Sequence, residues 1–187
     1  MNYKTYHYGD DQIDDSGWGC SYRNIQTILS CYQKNYNPKI IIPNITTILN
    51  FFSKNINSEN KIDLWIEPYQ ISIYLENYYD ELYFKHCLYV INDTDTSKIL
   101  KTDFMVYIDS IFSFDEIYVL IQEHFKVSKL PIVIDNGTYS YCMVLKANSE
   151  IFLIDPHVKS DNNVFIKSLD FLKKSFWMIL FPKLYQV

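Results

Sequence analysis

A cysteine at the first turn of a helix, approached through glycines, is a place where sulfur chemistry can begin. This chain has one, in the stretch Asp14-Asp15-Ser16-Gly17-Trp18-Gly19-Cys20-Ser21-Tyr22-Arg23. The stretch holds two of only four glycines among 187 residues, so their position carries information. Cys20 falls where a helical pattern starts, with Ile25, Ile28, Leu29 and Tyr32 at i, i+3, i+4 and i+7. There the unpaired N–H groups and the positive end of the helix dipole favour a thiolate, which lowers the thiol pKa and makes a nucleophile. The same N–H groups can stabilise an oxyanion. Gly17 and Gly19 leave room for a substrate backbone to come close. The plainer alternative, which the local pattern alone favours, is a buried cysteine at a helix start with Trp18 in the core.

A second stretch supplies what a thiol nucleophile needs. Ile151-Phe152-Leu153-Ile154 reads as an apolar strand ending in Asp155-Pro156-His157. In an extended segment residues i and i+2 project to the same side. Pro156 biases Asp155 to be extended. Asp155 can then hold the His157 tautomer, and His157 can take a thiol proton. Asp-Pro is also ordinary turn chemistry, and alone it would be read that way. Beside a helix-start cysteine, nucleophile, base and orienter are all present.

The remaining candidates are weaker. His124 lies on the apolar face of a helix, which suggests a packed core histidine. His86 sits in a strand beside Cys87, and His7 is expected to be exposed in the N-terminal segment. No two histidines have metal-ligand spacing, and none of the four cysteines forms a C-x-x-C pair. No metal or cofactor is expected. The cysteines should be reduced thiols, three or four of them buried.

These groups need a scaffold. A chain that is 48% hydrophobic and 187 residues long suits one domain over residues 1–187 with a sizeable core. Net charge is −5 without a basic cluster, which argues against nucleic-acid binding and against attraction to anionic lipid. No apolar run is long enough to span a membrane, and no signal core is visible at the N-terminus. The expectation is a soluble, cytoplasmic monomer.

Residues 1–16 read as an extended arm. Helices are expected from about Cys20 to before Asn35, over 45–53 with Asn44 as N-cap, from Glu67-Pro68, and from Ser113 with Glu116 closing a capping box. Strands are expected over 82–91, 103–108, 130–135, 139–146, 151–155 and 175–181. Asn136-Gly137 signals a hairpin. Helices first, then a mostly antiparallel sheet, is an α+β arrangement.

Beyond these local readings, the motifs resemble those of the cysteine proteases specific for the ubiquitin-fold modifier, in particular the short type. The likeness rests on Tyr6-His7-Tyr8-Gly9, the stretch from Asp14 to Thr27, Leu64-Trp65-Ile66-Glu67, Leu130 to Ile134, Asp155-Pro156-His157, and Phe176-Trp177 to Pro182. It implies a papain-like α+β fold with N-terminal helices packed on the sheet. It implies cleavage after the modifier's C-terminal glycine, both in the precursor and in conjugates on target lysines. Carried over, Cys20 is the nucleophile, His157 the base and Asp155 its orienter. Tyr8, twelve residues before the cysteine, is the oxyanion-hole tyrosine, with the Cys20 N–H as second donor. Nothing else would single out Tyr8 among 17 tyrosines. Asp135-Asn136-Gly137 replaces a family Gly-Gly-Gly run, and Tyr141 stands where a His is common. The autophagy cysteine proteases share Gly-Trp-Gly-Cys and Asp-Pro-His and rank second. A non-catalytic relative that grips the modifier is the third reading.

Overall fold

The computed structural model describes residues 1–55, 64–89, 110–147 and 149–185. Three helices come first: α1 (Cys20–Asn35), α2 (Ile45–Asn55) and α3 (Pro68–Tyr78). Then follow β1 (Leu82–Tyr89), β2 (Ser110–Phe112), α4 (Phe114–Val127), β3 (Ile132–Asp135), β4 (Ser140–Ala147), β5 (Glu150–Ile154), β6 (Val164–Ser168) and β7 (Trp177–Leu184). The expected strand over 103–108 lies outside the described residues.

Helix starts follow the local chemistry. Asn44 Oδ1 accepts from the Thr47 N–H at 2.8 Å, capping α2. Pro68 opens α3, with Glu67 and Gln70 in a reciprocal capping arrangement. Ser113 and Glu116 do the same for α4.

All seven strands form one sheet in the order β2-β1-β7-β3-β4-β5-β6. Every pairing but β1 with β2 is antiparallel. The architecture is α+β, as expected. The last strand, β7, inserts between β1 and β3, and its first six residues are all buried. Pro182 is tolerated there because β3 pairs only as far as Leu180.

The pleat sorts side chains onto two faces. Val133, Cys142, Ile154 and Leu180 pack with Ile25, Ile28 and Leu29 of α1. Ile132, Ile134, Met143, Leu153 and Ile179 pack with Ile117 and Ile121 of α4 on the other face.

The hairpin signalled by Asn136-Gly137 forms, with Asp135 pairing Ser140 across a four-residue loop. Asn136 Oδ1 accepts from the Thr138 and Tyr139 N–H groups, and Gly137 takes φ +80°. The edge strand β6 was missed because four of its five residues are exposed and show no alternation. The parallel strand β2 is only three residues long and was not anticipated between the expected strand over 103–108 and the helix from Ser113.

Candidate active site

The N-terminal arm is pinned by buried charge. Arg23, in the second turn of α1, has no exposed surface. Its Nε and Nη2 donate to the two oxygens of Asp15 at 2.8 and 3.1 Å, and its Nη1 donates to Asp11 at 2.9 Å. Asp15, equally buried, also accepts from the Gly9 N–H at 2.8 Å. Its carbonyl receives the Trp18 and Gly19 N–H groups just before the helix. A Cβ on Gly19 would collide with the Asp15 side chain. Gly19 therefore makes room for Asp15, not for a substrate. Gly17 takes φ +85°, a conformation that favours glycine, and has open space around it.

This lock fixes Cys20 and Tyr8 together. Cys20 begins α1 and has no exposed surface. The Tyr8 N–H donates to the Pro156 carbonyl at 2.8 Å, tying the arm to the turn that carries Asp155 and His157. Asn163 adds a second tie: its side chain accepts from the Thr5 hydroxyl at 2.7 Å, and its carbonyl accepts from the Asp155 N–H at 2.8 Å.

Asp155, Pro156 and His157 form a turn beyond β5, not an extended pair. The turn is what joins the side chains. Asp155 Oδ1 accepts from the His157 N–H at 2.9 Å and from His157 Nδ1 at 2.6 Å. Nδ1 therefore carries a proton, and Nε2 is left as the basic nitrogen. Nε2 is buried without a hydrogen-bond partner among the described residues.

Tyr8 bridges the two halves. Its ring meets His157 edge-on at 5.2 Å. Its hydroxyl is buried beside the Cys20 thiol and the Gly17 backbone, near enough to Cys20 for each to act on the other's ionisation. Burial above all, then the potential charge on Cys20, holds the phenol well above its ordinary range, so Tyr8 is a neutral donor. Tyr139 and Tyr141 also meet the imidazole edge-on, at 5.3 and 5.4 Å. Sequence reasoning gave neither a place at His157, since aromatic residues are common throughout the chain.

The thiol does not behave as the helix-start argument expected. Burial, with the nearby Asp135 carboxylate as a second cause, pushes Cys20 up to about 12. The opposing help from Tyr8 and from the Ser140 and Ser21 backbone is smaller. Desolvation outweighs the helix terminus here. A lone thiolate at Cys20 is therefore disfavoured.

The other sequence candidates stand apart. His124 Nε2 donates to the Leu130 carbonyl at 2.8 Å, and burial lowers its pKa to about 4, as suits a core histidine. His86 is buried, with Nε2 2.9 Å from the Ser72 hydroxyl. His7 is not exposed as expected: it is half-buried, and Nδ1 donates to the Tyr8 carbonyl at 2.8 Å. All four cysteines are buried and free. Among the described residues no three metal-ligating side chains converge.

Comparison with known proteins agrees with this geometry. The family model described as Peptidase family C78 matches residues 1–174. A probable Ufm1-specific protease of Oryza sativa subsp. japonica is 27% identical, over 97% of this chain and 29% of that protein. A Ufm1-specific protease of Caenorhabditis briggsae is 23% identical, over 87% of this chain and 26% of its own length. The chain thus spans under a third of the length of these relatives. The crystal structure of UfSP from C. elegans superposes with a TM-score of 0.68 at 21% identity, covering 97% of this chain and 33% of that one. That likeness bears out the expected papain-like fold. By its match to the family model over residues 1–174, the chain belongs to peptidase family C78.

Proposed function

We propose that this chain is a thiol peptidase domain that cleaves after the C-terminal glycine of the ubiquitin-fold modifier Ufm1, in its precursor and in conjugates to lysine. The observation that carries the reading is the Asp155–His157 pair at 2.6 Å, whose buried Nε2 has no partner among the described residues and whose ring lies against Tyr8. That is a base oriented for proton transfer and still free to accept one. The Ufm1-specific proteases of rice and C. briggsae, similar to this chain over most of its length, support the substrate.

The chemistry follows from the parts. The Cys20 proton moves to His157 Nε2, and the sulfur attacks the glycine carbonyl carbon. Asp155 stabilises the imidazolium through Nδ1. The carbonyl electrons move to oxygen, where the Tyr8 hydroxyl and the Cys20 N–H act as donors. The oxyanion collapses, the C–N bond breaks, and Nε2 gives its proton to the leaving amine. His157 then takes a proton from water, which attacks the thioester and returns Cys20 to the thiol. Moving the proton within the pair avoids the cost of an isolated buried thiolate.

Cleavage of three precursors tests the reading: Ufm1, ubiquitin and the autophagy modifier, each with a C-terminal extension. Release of the extension from Ufm1 alone is the expected result. Cleavage of the autophagy precursor instead would move the chain to the second reading. Binding of Ufm1 without cleavage of any precursor would make it a non-catalytic relative.

A further inference from the structure

β3 ends in a carboxyl group on the face that carries Cys20. Alternation puts Val133 against α1, Ile134 against α4, and Asp135 back on the α1 side. Its cross-strand partner Ser140 is held by the Asn24 side chain of α1 at 2.9 Å. Asp135 has no exposed surface. Its Oδ1 accepts from the Gly137 N–H at 2.7 Å. Its Oδ2 is buried and makes no well-formed hydrogen bond among the described residues, with the Ser140 hydroxyl near enough to favour the charged form only in part. A carboxylate can accept several hydrogen bonds at each oxygen, and leaving one oxygen bare in the interior is costly. A carboxylic acid fits that position with less cost.

We propose that the buried Asp135 is held as a neutral carboxylic acid in the folded chain, and that its ionisation suppresses the Cys20–His157 pair. The proposal rests on Cys20 and His157 acting as the catalytic pair.

The surrounding groups agree. Burial first, then the nearby Glu67, pushes the Asp135 carboxyl up to about 7, against help from the Gly137 N–H and the Ser140 side chain. The groups that face it are Glu67 ahead of α3, Cys20 on α1, Tyr141 on β4 and His157 beyond β5. Only His157 can carry positive charge, and only when it has taken a proton. An ionised Asp135 makes the Cys20 thiolate harder to form. It also attracts the imidazolium that should pair with sulfur. Both effects suppress the reactive pair as pH rises through neutrality. Keeping Asp135 protonated removes both.

The test reads sulfur reactivity without the modifier. The wild-type chain and Asp135→Asn are alkylated with iodoacetamide from pH 5.5 to 9, and the labelled cysteine is located by peptide mass. Asparagine keeps the acceptor for Gly137 and mimics the neutral acid. Cys20 of Asp135→Asn should react about tenfold faster than wild type at pH 8, with little difference at pH 5.5. Superimposable pH profiles at Cys20 would overturn the role of Asp135 and leave the catalytic pair standing. Failure of Cys20 to react ahead of Cys31, Cys87 and Cys142 would overturn the pair, and the proposal with it. Should Asp135→Asn not fold, carboxyl-carbon NMR of the wild-type chain decides. One aspartate titrating above pH 6 upholds the proposal, and all aspartates titrating below pH 6 overturns it.

Discussion

On the Cys20 side of the site, Arg23 and Asp15 are both without exposed surface, and with Asp11 they bind the arm to α1. On the His157 side, the turn follows β5, and of the buried residues of β4 and β5, Ser140, Cys142, Met143, Ile151, Leu153 and Ile154, all but Ser140 are apolar. One wall is held by charge and the other by pleat and packing. A buried ion pair fails abruptly, because removing one partner leaves the other charge unpaired. An apolar strand fails gradually, by the volume removed. The two walls meet at the Tyr8 N–H and the Pro156 carbonyl, 2.8 Å apart. The proposed nucleophile thus sits on the brittle wall and the proposed base on the forgiving one.

Substitutions can separate the walls. The largest effect belongs to the proposed nucleophile: Cys20→Ser should bring precursor cleavage to background, measured at steady state with saturating substrate. Undiminished turnover would remove Cys20 from the chemistry.

Next is the charged wall. Arg23→Met should destabilise the chain by about 3–5 kcal/mol in urea unfolding, since it strands Asp15. On the apolar wall, Ile154→Val should cost only about 1 kcal/mol in the same assay. Equal costs would erase the distinction between the walls.

Tyr8→Phe tests the seam. Losing one oxyanion donor should lower kcat by about 3 kcal/mol in barrier terms, with KM little changed. A change confined to KM would make Tyr8 a binding residue.

The smallest effect on activity, and one legible in stability, comes from Asp135. Its folded-state pKa of about 7 lies above the ordinary carboxylate value. The folded chain then holds a proton that the unfolded chain has released. Stability is full below the ordinary range and is lost as pH rises toward 7. Between pH 5 and 8, Asp135→Asn should gain up to about 3 kcal/mol on wild type. His124 is common to both chains and has the opposite slope, so it drops out of the difference. A difference that does not change with pH would contradict a neutral Asp135.

Legibility in the sequence followed the same division. Cys20 could be placed at a helix start, and Asp155 with His157 at a strand end, because each signal is local. The helices of the first half and the central strands were legible from periodicity and capping residues. Arg23 was visible only as a motif member, since its partners Asp11 and Asp15 gain meaning once the arm folds back. Gly19 was read as space for a substrate when its neighbour is Asp15. Tyr8 came through resemblance alone, because its role depends on a contact with a turn almost 150 residues away. Asp135 was read as a change in loop shape, while the pleat turns it to the α1 side of the sheet. The direction of the Cys20 shift was missed for a related reason: a helix start is a local property, and desolvation is not.

The central claim is that the two walls make one reactive pair. A Ufm1 probe bearing a C-terminal electrophile, mixed with wild type, Cys20→Ser and His157→Ala and read by intact mass and peptide mapping, tests it most directly. The expected result is one adduct on Cys20 in wild type, none in Cys20→Ser, and an adduct at least a hundredfold slower in His157→Ala, the lower range for a lost general base. An adduct on another cysteine, or one that forms equally fast without His157, would contradict it.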